Sequence, residues 1–300
     1  MKRYTLILSV ILAAAGPAAA GQAGAQFLRI DTDARLSGMG SAGAATAYGI
    51  SALNYNPAGL SSMKGAEVAF SHSKWLMDSS HDFAGFGTGV GALAGKKLTL
   101  GVGLTRLSNT SMDARAEDRS SSGDFDAYDQ AVSLGFAAGD VGLAVKYVQS
   151  SIAGVRAGTF AADFGARHRL SGLPVTLGFG VQNLGRGLKY LSQRDHLPLS
   201  VSAGISAALL PGVGLVLDVK RLVYDKETVV SAGTEYSMLM GGVGFSLRGG
   251  YGLAGVLATD GGNAVSAGAG VKALGAELDY AVAPETALGS VQRITLKKRF

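Results

Sequence analysis

The sequence predicts an all-β fold: a transmembrane antiparallel β-barrel of about 14 strands, preceded by a short N-terminal helical hatch. Three observations predict it. Of 300 residues, 45 are Gly, 47% are hydrophobic and only 16% are charged, against about 25% charge in an ordinary soluble domain. A secretory leader opens the chain, yet no later apolar run is long enough to cross a bilayer as a helix. Most of the remainder alternates apolar with small or polar residues, the pattern of a strand with two different faces.

Residues 1–20 read as a signal peptide. Lys2 and Arg3 form its positive start, Tyr4 to Ala15 its apolar core, and Ala18-Ala19-Ala20 a small-residue cleavage site. Once Lys2 and Arg3 are removed, the 27 basic residues become 25 against 22 acidic ones, a balance that points to no nucleic-acid partner. With no cysteine, disulfides, thiolate metal sites and a cysteine nucleophile are excluded.

Residues 21–65 lack alternation. They are rich in Ala, Gly and Ser, with two expected short helices and an Asn-Pro turn. This is the composition of a compact plug that enters the lumen from the periplasmic mouth.

Residues 66–300 form the barrel. Alternation marks segments near 66–75, 82–93, 97–107, 127–137, 141–150, 157–169, 175–185, 197–209, 213–223, 227–239, 242–252, 263–273, 275–284 and 290–300. In one of them Val213, Leu215, Leu217 and Val219 share a face opposite Gly214, Asp218 and Lys220. Every second gap is tight, as at Gly139-Asp140 and Leu274-Gly275, whereas 108–126, 186–196 and 252–262 are long. Long outer loops with short periplasmic turns are the outer-membrane pattern. Ile294, Leu296 and the final Phe300 share one face of the last strand, a terminal aromatic of the kind read by the barrel assembly machinery. A secreted β-sandwich would need more charge on its exposed face.

The stretch FLRIDTDARLSGMGSAGAATA, followed by ALNYNPAGLSSMKGAEVAFSHSKWLMD, resembles the start of the PorV/PorQ family, within the wider group that includes the FadL transporters. Its Ala-Arg-x-x-x-Met-Gly-x-Ala pattern stands here as Ala34, Arg35, Met39, Gly40 and Ala42, and Asn-Pro-Ala-Gly-Leu as Asn56 to Leu60. Tyr55 stands where the family commonly has Trp. The resemblance implies a FadL-like 14-stranded barrel with an N-terminal plug in the outer membrane. It implies either passage of hydrophobic molecules such as fatty acids or a role in type IX secretion.

The candidate gate residues are Arg35, Met39, Gly40, Asn56, Pro57 and Gly59. Asn56 can cap backbone groups, Pro57 fix the turn and Gly59 end a helical turn. The lumen charges are Asp163, Arg167, Asp218, Lys220, Arg248, Glu277 and Asp279. Because an unpaired buried charge is costly, they are expected to pair with one another and with Arg35. His72, His81, His168 and His196 form no metal motif. Gly38-Met39-Gly40-Ser41-Ala42-Gly43 matches G-x-G-x-x-G but follows no apolar strand. No cofactor, metal or catalytic residue is expected. The partners expected are outer-membrane lipid, the assembly machinery, and a hydrophobic ligand or a secreted protein cargo. A barrel enzyme acting on lipids is the third alternative.

Overall fold

A computed structural model describes residues 23–115, 121–190, 193–253, 264–284 and 290–300. The expected signal peptide and most of the 252–262 gap lie outside them.

Fourteen strands close an antiparallel barrel. They are β1 (Glu67–Lys74), β2 (Ser80–Leu93), β3 (Lys96–Arg115), β4 (Ser121–Ala138), β5 (Val141–Ile152), β6 (Val155–Arg169), β7 (Val175–Gly185), β10 (Ser200–Leu210), β11 (Val213–Leu222), β12 (Glu227–Met240), β13 (Val243–Leu253), β14 (Ala264–Ala273), β15 (Ala276–Pro284) and β16 (Ser290–Arg299). A two-stranded hairpin, β8 (Leu188–Tyr190) with β9 (Gln193–Asp195), fills the gap after β7. The barrel is sealed by β1 on β16, from Glu67 opposite Arg299 to Lys74 opposite Gln292. Leu143, Phe160, Leu177, Leu217, Leu247, Leu278 and Leu296 are exposed on the outside, which no soluble barrel would tolerate around its whole circumference. Their neighbours in sequence face the lumen, as period two requires.

Two expectations about loops need correction. The polar stretch 108–126 is largely strand, because β3 continues to Arg115 and pairs with β4 as far as Arg115 opposite Ser121. Beyond the lipid a strand needs no apolar face, so alternation fades while pairing persists. The 186–196 gap is likewise not plain loop but holds the β8–β9 hairpin.

The N-terminal segment also differs from expectation. It has four short helical turns rather than two: Gln26–Arg29, Ala34–Ser37, Ile50–Asn54 and Pro57–Ser62. Nor is it confined to the short-turn mouth. At the loop mouth, Gly24 N–H donates to the His196 carbonyl (2.7 Å) and Ala23 N–H to Asp225 Oδ1 (3.1 Å). At the short-turn mouth, Ile50 N–H donates to Glu67 Oε1 (2.8 Å), and Lys97 Nζ donates to the Met63 carbonyl (2.9 Å). The segment therefore runs the length of the lumen before β1 begins.

Candidate functional site: the hatch and the wall around it

Along β1–β6 the contact is apolar and close. Ile50, Leu53, Leu60 and Met63 are buried against Ala69, Phe83, Ala137 and Ala144. Each such side chain contributes about 1.5–3 kcal/mol when withdrawn from water. The wall makes room with glycine. A Cβ at Gly85 would lie 2.7 Å from Ile50 Cγ1, and one at Gly142 or Gly165 would collide with Pro57, Ala58 or Asn56. Asn56 fastens this side: its Nδ2 donates to the carbonyls of Ala44 (2.6 Å), Ala166 (3.1 Å) and Phe179 (3.2 Å), while Oδ1 accepts from Ala58 N–H (3.1 Å).

Along β12–β16 the contact is ionic. Lys297 Nζ, almost wholly buried, lies 2.6 Å from Asp33 Oδ2. Arg248 bridges Glu235 (2.6 Å) and Asp279 (2.6 Å), and Arg35 Nε reaches Glu235 from the hatch (2.9 Å). Arg299 pairs with Glu67 (2.8 Å) and Glu277 (3.4 Å). Tyr48 donates to Glu277 Oε1 at 2.5 Å. The guanidinium of Arg35 and the ammonium of Lys297 lie 4.7 and 5.0 Å from its ring centroid, within cation–π range. Burial pushes the Asp33 carboxyl up, but the Lys297 ammonium and the Ser51 hydroxyl pull it down further, to about 2. Burial also raises the Tyr48 phenol.

Of the charges read from the sequence, Arg248, Glu277 and Asp279 enter this network, and Asp163 pairs with Lys146 (2.7 Å). The others depart from the expected pairing. Arg167 donates to the Ala47 carbonyl, and Asp218 accepts from Ala44 N–H (2.6 Å). Lys220 makes no ion pair among the described residues. For Arg167 and Asp218 the partner is hatch backbone.

Met39 is buried against Gly233, and Gly40 (φ 69°) packs on Gly250. Pro57 opens the last helical turn after the Asn56 cap. Gly59 lies inside that turn instead of ending it; a Cβ there would meet Ala52 Cβ at 2.7 Å. Phe300 points outward, largely exposed, and its N–H donates to the Ala66 carbonyl (2.9 Å). Sequence reasoning passed over Lys297, Arg299, Glu235, Glu67 and Tyr48. Parity along β16 would have put Lys297 inside with Thr295. Outside the barrel, His72 pairs with Asp82 (2.6 Å) and His168 with Asp140 (2.7 Å). Among the described residues no serine hydroxyl bonds to either ring, and no group of three metal-ligating side chains occurs.

This geometry defines a class: a 14-stranded transmembrane β-barrel whose lumen holds the chain's own N-terminal segment. No protein-family model and no curated protein matches the sequence. Solved structures do match in fold. The Ralstonia pickettii toluene transporter TbuX shares 14% identity at a TM-score of 0.63, over 91% of this chain and 99% of that one. The monoaromatic hydrocarbon channel CymD shares 13% at 0.62, over 90% and 97%. A Pseudomonas aeruginosa FadL homologue shares 10% at 0.55, over 90% and 98%. The fold is FadL-like.

Proposed function

We propose that the chain is a non-enzymatic outer-membrane barrel that passes hydrophobic small molecules, exported by a cleaved leader at residues 1–20 and gated by the hatch. One observation carries this reading. At the loop mouth Phe27 sits in an apolar seat made by Ala131, Val148, Ala157, Ala161, Leu188 and Leu197, edged by Leu107 and Tyr190. The strands and the β8–β9 hairpin build the seat, while a separate segment fills it. Withdrawal of that segment would leave an apolar volume the size of a benzyl group, and dry cavities of this kind take up benzene. The likeness to TbuX, a toluene transporter, and CymD, a monoaromatic hydrocarbon channel, supports the same reading. The Arg35, Met39-Gly40 and Asn56-Pro57-Gly59 motif supports a PorV/PorQ-type hatch, and Phe300 the assembly signal.

The test is uptake of radiolabelled toluene by cells with and without the protein, together with toluene binding to refolded Phe27→Ala. Faster uptake and tighter binding by the variant are expected. No uptake difference and no binding by either form would overturn the proposal.

A second reading, a protein-binding part of a type IX-like secretion apparatus, draws on the β3–β4 hairpin. β2 starts at Ser80 opposite Ser108, so β3 continues past its neighbour and only β4 accompanies it. Trimming 110–124 should then abolish cargo binding and leave toluene uptake intact.

A further inference from the structure

Arg293 is one of the lumen cations without an ion pair among the described residues. It is only 2% exposed, and among the described residues no carboxylate pairs with it. Its Nη1 donates to Ser37 Oγ of the hatch (2.9 Å) and its Nη2 to Ser73 Oγ of β1 (3.5 Å), while Nε has no partner. Its cross-strand neighbours are Ser73 on one side and Ala281 on the other, both neutral. Asp279, one lumen row nearer the short turns on β15, is already held by Arg248 at 2.6 Å. A guanidinium withdrawn from water without a counter-charge is among the costliest arrangements in a protein.

A second unsatisfied group stands in the same row. Ser73 faces Arg293 across β16 and His81 across β2, and Ser73 Oγ donates to the His81 carbonyl (3.1 Å). The His81 ring is buried and its Nε2 has no partner. Arg293 of β16 and Ser37 of the hatch thus bring a fixed positive charge and a hydroxyl to one buried place.

We propose that Arg293, with Ser37 of the hatch, forms a buried site for a small monovalent anion of the size of chloride. The anion supplies the missing counter-charge and ties the hatch, through Ser37, to β16. Water could satisfy the hydrogen bonds but could not cancel the charge. The site is independent of what the barrel transports.

The test uses full-length protein refolded in lipid. Thermal unfolding is followed as chloride replaces gluconate, an anion too large for the site, at constant ionic strength. The melting temperature should rise with chloride in the wild type and not in Arg293→Met. An equal rise in both, or none in the wild type, would overturn the proposal. Should Arg293→Met not refold, wild-type crystals soaked in bromide decide the matter. An anomalous peak beside Arg293 Nε is expected, and its absence there would sink the site.

Discussion

The two halves of the hatch interface are built on different physics. Against β1–β7 the hatch is held by shape, with branched side chains over wall glycines and Asn56 reaching the backbone of β6 and β7. Against β12–β16 it is held by charge, with Asp33 and Arg35 inserted among Lys297, Glu235 and Arg248. Shape holds over a wide range of pH and salt. Ion pairs give direction, but their desolvation takes back most of the attraction. The same plug therefore has one side that solution conditions leave alone and one side that they reach.

Removing both sides together should have the largest effect. A barrel lacking residues 26–60 but retaining β1 is expected to insert and to conduct ions more freely in planar bilayers. If it conducts no more than the full chain, the segment is not a plug. Next comes the charged side. Lys297→Met strands the Asp33 carboxylate and should cost about 3–5 kcal/mol in urea titrations in lipid, while adding Asp33→Asn should recover most of it. Equal costs for the single and double variants would show that the pair does not act as a unit. On the apolar side, Leu53→Ala should cost about 2–5 kcal/mol through the cavity it leaves, with no dependence on pH.

The outer face supplies a control. Leu217 faces lipid and Asp218 faces the lumen. Leu217→Arg should cost about 2–4 kcal/mol and Asp218→Asn clearly less; the opposite ranking would shift β11 by one residue. The smallest effect is the response of Asp33 to acid. Its carboxyl is depressed to about 2 in the fold, against about 3.9 in the unfolded chain. The stability it contributes is complete above the unfolded value and is lost as pH falls through the folded one. Conductance should therefore rise between about pH 4 and pH 2, and Lys297→Met should abolish that rise. A rise centred near neutrality would point to another group.

Much of the barrel was legible because lipid imposes a simple rule on each strand: one face apolar, the other not. Val213 to Val219 shows it residue by residue. Where lipid ends, so does the rule, which is why 108–126 read as a loop although its backbone is paired. The hatch was legible as a break in alternation, and Arg35 and Asn56 as notable within it. Their partners were not. Parity reports which face Lys297 or Glu235 occupies, but not which group meets it across the lumen, since that depends on how the hatch coils. Asp218 and Lys220 show the limit: they share a face two residues apart in β11, yet make no ion pair, and the partner of Asp218 is the Ala44 N–H of the hatch.

An even number of strands normally returns a chain to the side of the membrane from which it set out. Here the segment from Ala23 to Met63 spans the lumen once before the strands begin, so it acts as an extra, unpaired crossing. Ala23 lies beside His196 and Asp225 at the loop mouth, whereas Phe300 lies beside Ala66 at the short-turn mouth. Ala23 and Phe300, the two ends of the described residues, thus lie on opposite faces of the membrane. A label placed beside Ala23 would meet reagents added from the loop side, and one at Phe300 only those added from the other.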